Sequence, residues 1–304
     1  MQSPSMNLAK ANGIELAWEG FGDTDGEVIL LIAGLGTQMI RWAVPFCEEL
    51  AALGYRVIRF DNRDAGYSTH FSACPPPDFV ALASALQAGR RPEVPYTLFD
   101  MAADAIGLLD ALAIGQAHVV GRSMGGMIAQ IMASEYSDRI LSLTSIMAST
   151  GNPALPPAEP DAMAMMVQPM PDPARDRAGF LSRSSAFARR IAGTGYPFDS
   201  EEHCTLVSEE VSRAYDPAGT ARQVAAMAVT GDRRARLSAV TKPTLVIHGS
   251  DDPLFLPACG QDTADSIPGA ELMLIDGMGH DLPAGLGQRI AGKIDGVARH
   301  AIPT

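Results

Sequence analysis

The 304-residue chain has no apolar stretch long enough to span a bilayer. Its first ten residues lack the basic region followed by an apolar run that directs export, so a cytoplasmic protein is expected. Cysteine is scarce. Cys47, Cys74, Cys204 and Cys259 lie far apart, make no metal-ligand spacing and read as free thiols in a reducing compartment. No metal is predicted. Positive charge is also short: 23 Lys and Arg face 35 Asp and Glu, a net charge of -12. That balance argues against nucleic acid or an anionic membrane as the main partner and suits solubility. No repeat of solenoid period and no low-complexity tract is present. What remains is a chain long enough to bury a large core, as one α/β domain with an insertion or as two domains.

The chain is organised around Ala117 to Gln130, which reads as a short β-branched strand, a tight turn and the start of a helix. Ser123 stands at the turn, inside Gly121-x-Ser123-x-Gly125. A serine on a strained strand-to-helix corner needs neighbours without bulk, and the two glycines let the arms of the corner approach. The corner lifts the Ser123 hydroxyl off the sheet and aims the Met124 backbone N–H into the same space.

Elsewhere the pattern alternates. Asn12-Gly13 between two short runs signals a hairpin. Glu27 to Ala33 is a continuous apolar run, expected of a strand buried on both faces, and it empties into Gly34-Leu35-Gly36. Pro45 to Leu53 reads as a helix, Tyr55 to Phe60 as a strand and Thr97 to Leu112 as a helix capped by Thr97. Phe79 to Gln87 fits either a short amphipathic helix or part of a loop. A strand is expected near Ile140 to Met147. Strands alternating with helices imply a mostly parallel, doubly wound sheet, with ligands bound beyond the carboxyl ends of the strands.

After Met147 the composition shifts. Gly151 to Pro160 is a Pro-rich linker, and Asp161 to about Arg236 carries helical patterns (Ala174 to Ala192, Ser200 to Tyr215, Pro217 to Val229) without strands. Strands resume at Pro243 to His248 and Glu271 to Ile275, and Leu282 to Ala301 closes the chain as a helix. The expected organisation is a core of residues 1–148 and 239–304 with a helical cap of residues 149–238 inserted.

A serine hydroxyl needs a base within hydrogen-bond reach, and the base needs a partner that fixes its tautomer. For a nucleophile on such a corner the chain order is Ser, then acid, then His. His280, in a Gly-rich loop after the last strand, is the expected base. His118 begins its strand, His248 precedes the acid, His70 and His203 fall in variable regions, and His300 is near the tail. The acid is expected after the strand ending at His248, where Asp252 is favoured over Asp251. Leu35 and Met124 N–H groups are the expected oxyanion donors. Gly34, Arg122 and Met147 are candidate substrate-binding residues. Arg122 beside the nucleophile reads either as a paired structural arginine or as a group orienting a polar part of the substrate or the cap. Methionines 163, 165, 166 and 170, with Met147, suit core packing or an adaptable apolar pocket. Asp61 and Arg63 are expected to form a structural ion pair.

Gly34-Leu35, Asp61-x-Arg63-Asp64-x-Gly66-x-Ser68, Gly121-x-Ser123-x-Gly125-Gly126, Gly249-x-x-Asp252-Pro253 and Gly277-x-Gly279-His280 occur in order across nearly the whole chain. This set resembles the α/β-hydrolase superfamily, most of all its bacterial carboxylesterase and aclacinomycin methylesterase-like branch. Arg63-Asp64 and Gly193-Thr194-Gly195-Tyr196-Pro197-Phe198 are similar to that branch. The resemblance implies a Ser-His-Asp esterase site under a helical cap, acting on a small-molecule ester with no cofactor. Ala33 stands where the branch usually has His, so the bond made there is absent or remade. The stretch from Cys74 to Pro95 is longer than in the methylesterase type, so that type's substrate is not carried over. Serine carboxylesterase is therefore the expected activity. C–C bond, lactone or thioester hydrolysis, perhydrolysis, and a catalytically silent binder on the same fold are the alternatives. A homodimer is left open.

Overall fold

The structure, a computed structural model, describes residues 6–301. Among them no helix is long and apolar enough to cross a membrane. Strands β1 (Asn7–Ala11) and β2 (Ile14–Phe21) form the expected hairpin. Asn12 and Gly13 turn it with φ of 49° and 80°, the positive pair that a two-residue hairpin turn requires. β3 (Val28–Ile32), β4 (Arg56–Phe60), β5 (Ala117–Arg122), β6 (Ile140–Ile146), β7 (Thr244–Gly249) and β8 (Glu271–Ile275) complete one sheet in the order β1-β2-β4-β3-β5-β6-β7-β8. β2 runs antiparallel to β1 and β4, and every pairing from β4 through β8 is parallel.

The all-apolar β3 is buried throughout because both faces of the sheet are covered. Its alternate residues enter different layers. Leu30 and Ile32 pack with α3 (Leu98–Ala111) and α4 (Met124–Glu135). Ile29 and Leu31 pack with α1 (Val44–Ala52) and α11 (Gly287–His300). Phe79–Gln87 is a helix, α2, capped by the Asp78 carboxylate, which resolves the helix-or-loop alternative. Thr97 and Asp100 form a reciprocal capping box at the start of α3.

Between β6 and β7 lie α5 (Pro160–Val167), α6 (Arg177–Ile191), α7 (Ser200–Arg213), α8 (Pro217–Thr230) and the short α9 (Arg234–Leu237). α6, α7 and α8 each start after an aspartate, Asp176, Asp199 and Asp216, whose carboxylate accepts from a first-turn N–H. α10 (Pro257–Ser266) between β7 and β8 was not expected. The last helix begins at Gly287 rather than Leu282, because Pro283 leads first into a single 3-10 turn.

The expected Asp61–Arg63 pair does not form. Asp61 Oδ2 lies 2.6 Å from Arg213 Nη2 at the end of α7, and its Oδ1 accepts the Met39 N–H at 2.7 Å. Arg63 instead reaches α3, where it meets both oxygens of Asp104 at 2.6 Å. The two side chains leave the β4 loop towards different elements. Arg213 and Arg222 fasten the inserted helices to this loop, since Arg222 holds Asp64 through two bonds of 2.8 Å.

Candidate active site

β5 ends at Arg122 and α4 begins at Met124, so Ser123 makes the corner, with φ 55° and ψ -123°. A side-chain-bearing residue held there stores about 1–3 kcal/mol of backbone strain. The glycines permit it: a Cβ on Gly121 would sit 2.0 Å from the Gly125 carbonyl oxygen, and one on Gly125 would sit 2.2 Å from that of Ile32. The Ser123 N–H donates to the Ile146 carbonyl at 2.9 Å, which pins the corner to the sheet.

The three distant side chains converge. Ser123 Oγ lies 2.9 Å from His280 Nε2, and His280 Nδ1 lies 2.7 Å from Asp252 Oδ2. An ionised carboxylate only accepts, so the hydrogen belongs on Nδ1, and Nε2 is left to accept from the serine hydroxyl. Asp252 is 1% exposed. Its other oxygen accepts the Leu254 and Phe255 N–H groups, both at 2.9 Å. Burial pushes the Asp252 carboxyl up. The His280 charge and the bonds from His248 and His280 outweigh burial and hold it well below the usual carboxylate range.

Asp251 faces elsewhere. Its Oδ2 accepts from the Thr194 N–H at 3.1 Å and from the Thr194 hydroxyl, and Ser250 donates to its Oδ1 at 2.9 Å. The competing histidines are engaged away from Ser123: His118 with Ser142, His70 with Asp216, His203 with Ser184, His248 with the Phe255 carbonyl and His300 with the Gly296 carbonyl.

Among the described residues, neither the Leu35 nor the Met124 N–H donates a hydrogen bond to protein. The next donor, Gly36 N–H, is committed to Gln223 Oε1 at 2.8 Å. Gly34 leaves room here, since a Cβ on it would sit 3.3 Å from Ser123 Cβ. At position 33, where Ala33 offers no polar side chain, Asn62 Nδ2 donates to the backbone carbonyl at 3.0 Å. Met147 is fully buried in the layer of α1 and α11 and packs as core.

A cavity of about 730 Å³ lies between the sheet domain and the inserted helices, with Gly36 and Gln38 in its wall just beyond Leu35. Met166, Met170, Phe180 and Val207 give it an apolar side, while Arg41 and Glu210 give it a charged one. That volume suits an organic group of some size. Asp64, His70 and Asp216 also gather near it, within 4.8 Å. Arg222 donates to both carboxylates, so the cationic partner of this cluster is already a side chain.

Some features had no signature in the sequence. The Arg41–Glu210 ion pair at 2.6 Å joins residues 169 apart. The docking of Gly193-Thr194-Gly195 against the His280 loop was foreshadowed only by the glycine spacing of both segments. A Cβ on Gly279 would sit 2.1 Å from the Ile191 carbonyl oxygen.

Residues 27–283 match the family described as alpha/beta hydrolase fold. The rhodomycin D methylesterases DauP of Streptomyces sp. (strain C5) and DnrP of Streptomyces peucetius are each 32% identical to this chain over 294 residues. The match covers 91% of this chain and 92% of theirs. Among solved structures, a thermophilic esterase from Thermogutta terrifontis superposes with a TM-score of 0.70 at 25% identity, over 99% of both chains.

Proposed function

The chain belongs to the α/β-hydrolase fold family, and from that premise we propose that it hydrolyses carboxylic esters through an acyl-enzyme on Ser123. The observation that carries the proposal is the chain of two short bonds from Ser123 through His280 to Asp252. Ser123 Oγ attacks the ester carbonyl as its proton passes to His280 Nε2. Asp252, ionised throughout, stabilises the imidazolium it faces. The Leu35 and Met124 N–H groups receive the developing oxyanion. Collapse breaks the C–O bond, and His280 returns its proton to the leaving alkoxide. Water, deprotonated by His280, then attacks the acyl carbon and releases acid and free Ser123.

Residues 149–238 act as a cap, and the cavity beneath them takes the bulk of a small-molecule ester. The methylesterase relatives support ester chemistry, and α2, inside the stretch from Cys74 to Pro95, contributes Phe79 to the cavity wall. Free cysteines fit a cytoplasmic protein.

Turnover of p-nitrophenyl acetate and butyrate by wild type and Ser123→Ala tests the mechanism. The substitution should cost at least about 10⁴-fold in kcat, and a fluorophosphonate should label wild type alone. Equal rates from both proteins, or no labelling, would remove Ser123 from the chemistry.

A further inference from the structure

Most buried arginines of this chain are fully spoken for. Arg59, Arg63 and Arg222 each give two bonds to one carboxylate, those of Glu19, Asp104 and Asp64. Arg233 is held by the carbonyls of Gly231 and Ser149. Arg122, immediately before the nucleophile, is different. Its side chain is 11% exposed, yet its guanidinium has only two polar contacts among the described residues, both at 3.4 Å. One is to the Arg41 carbonyl. The other is to Asp281, the residue after the base, whose side chain is 42% exposed. Burial pushes the Arg122 pKa down, with Asp281 pulling it back up. An arginine stays charged nonetheless, so the shortfall is in acceptors.

A second donor nearby has the same deficit. Among the described residues the Trp42 indole N–H is buried with no partner, and the Arg122 guanidinium carbon lies 6.0 Å from the centroid of the Trp42 ring. A buried unmatched donor needs an explanation. The neighbours do not supply one. Arg41 is committed to Glu210 through two bonds of 2.8 and 2.6 Å. His203 carries no negative charge, and burial and Arg41 lower its pKa. Two neighbouring donors, the Arg122 guanidinium and the Trp42 N–H, are therefore short of close acceptors, although the carboxylates of Asp281 and Glu210 both act on the Arg122 charge. Arg41, whose carbonyl Arg122 touches, also lines the cavity.

We propose that Arg122, assisted by the Trp42 indole N–H, receives a carboxylate of the substrate, so that the preferred esters are half-esters of short dicarboxylic acids. This rests on the acyl-enzyme reading above. A guanidinium fork matches a carboxylate with two parallel bonds, and a partly desolvated fork gains more from the match than an exposed one. The sign of the preference is diagnostic. A site with no waiting cation rejects a free carboxylate, because burying that charge is costly.

The test compares the monomethyl and dimethyl esters of succinic, glutaric and adipic acids, followed by methanol release. Wild type should favour at least one half-ester over its diester by about tenfold or more in kcat/KM. Arg122→Met should lower that ratio about tenfold or more, and Arg122→Lys, which keeps the charge and loses the fork, should lower it less. Glutarate should compete with p-nitrophenyl butyrate in wild type, with glutaramide much the weaker inhibitor. A wild-type preference for every diester overturns the proposal even if no variant folds. An unchanged ratio in a folded Arg122→Met overturns it too, because a purely structural arginine would alter both ester classes alike. If p-nitrophenyl butyrate is hydrolysed while the half-ester preference is absent, only the carboxylate subsite falls. If no ester is turned over and the fluorophosphonate does not label Ser123, the acyl-enzyme reading falls with it.

Discussion

The backbone N–H of His280 donates to the carbonyl of Ile191, the last residue of α6, at 2.6 Å. The Gly279 N–H donates to the Ala192 carbonyl at 3.0 Å, and the Gly195 N–H returns a bond to the Gly277 carbonyl at 2.8 Å. The final carbonyls of a helix have no partner within it, and the loop that carries His280 supplies one. The inserted helices therefore hold the base from above while Asp252 holds it from below.

This coupling predicts that Gly279→Ala impairs turnover more than stability. A Cβ there would sit 2.1 Å from the Ile191 oxygen and 2.4 Å from the Gly193 nitrogen, so loop and helix end must part. A displacement of about 1 Å at the base costs on the order of 10² in kcat. Stopped assays of p-nitrophenyl butyrate beside a circular-dichroism melt would check it. A variant within threefold of wild type in kcat would show that the contact does not position His280.

His70 predicts a pH dependence of stability. Its Nδ1 lies 2.8 Å from Asp216 Oδ2 and its Nε2 lies 3.0 Å from the Gly66 carbonyl, so both nitrogens face acceptors. Only the imidazolium satisfies both. Burial lowers its pKa, but the bonds to Gly66 and Asp216 outweigh burial and raise it above the ordinary 6.5. A raised folded-state pKa gives stabilisation that is complete below 6.5 and lost as pH climbs through the folded value. The contribution is at most about 1 kcal/mol, because both side chains are partly exposed. The wild-type Tm should exceed that of His70→Gln by about 2 °C at about pH 6, with the gap closing by about pH 9. A gap that widens with pH would contradict it.

What could be read from the chain was what is local or tied to strand ends. The Asn12-Gly13 turn follows from two adjacent residues that tolerate positive φ. Ser123, Asp252 and His280 were legible because each follows the end of a strand, and a parallel sheet brings those ends to one rim. The charge pairs were not legible. Asp61 finds Arg213 and Arg63 finds Asp104, partners 152 and 41 residues away, and nothing in a window of sequence distinguishes them from the nearer Asp61–Arg63 pairing. α10 escaped because Pro257 to Ser266 is largely polar and small, burying only Cys259, Gly260 and Thr263. For Met147 the sequence left core packing and an apolar pocket both open, and its side chain turns into the core.

The pair Arg222–Asp64 should dominate the attachment of α8 to the sheet domain. Both side chains are almost fully buried, and the Tyr96 hydroxyl and Phe71 N–H complete the Asp64 carboxylate. Arg222→Met leaves that carboxylate buried without its cation, which costs about 3–5 kcal/mol. Adding Asp64→Asn removes the stranded charge, so the double variant should be no less stable than the single one. Urea denaturation measures both. A single variant within about 1 kcal/mol of wild type would mean that the pair is not a principal anchor.

Asp252 and Asp251 are neighbours with opposite surroundings, and substitution should separate them by orders of magnitude. Asp252→Asn keeps the shape but takes away the acceptor that fixes the His280 tautomer. An amide can present N–H to Nδ1, which turns the imidazole so that Nε2 carries the hydrogen and no longer accepts from Ser123. A loss of about 10⁴ in kcat is expected near neutral pH. Asp251→Asn weakens only the bonds to Thr194 and Ser250, and reaches His280 indirectly through the Gly193 to Gly195 segment. It should cost about tenfold or less in kcat, because the backbone bonds from Gly279 and His280 to the end of α6 remain. Pre-steady-state acylation by p-nitrophenyl acetate reads both losses at the step where His280 takes the serine proton. Equal losses would mean that the carboxylate behind the imidazole is not the one that acts.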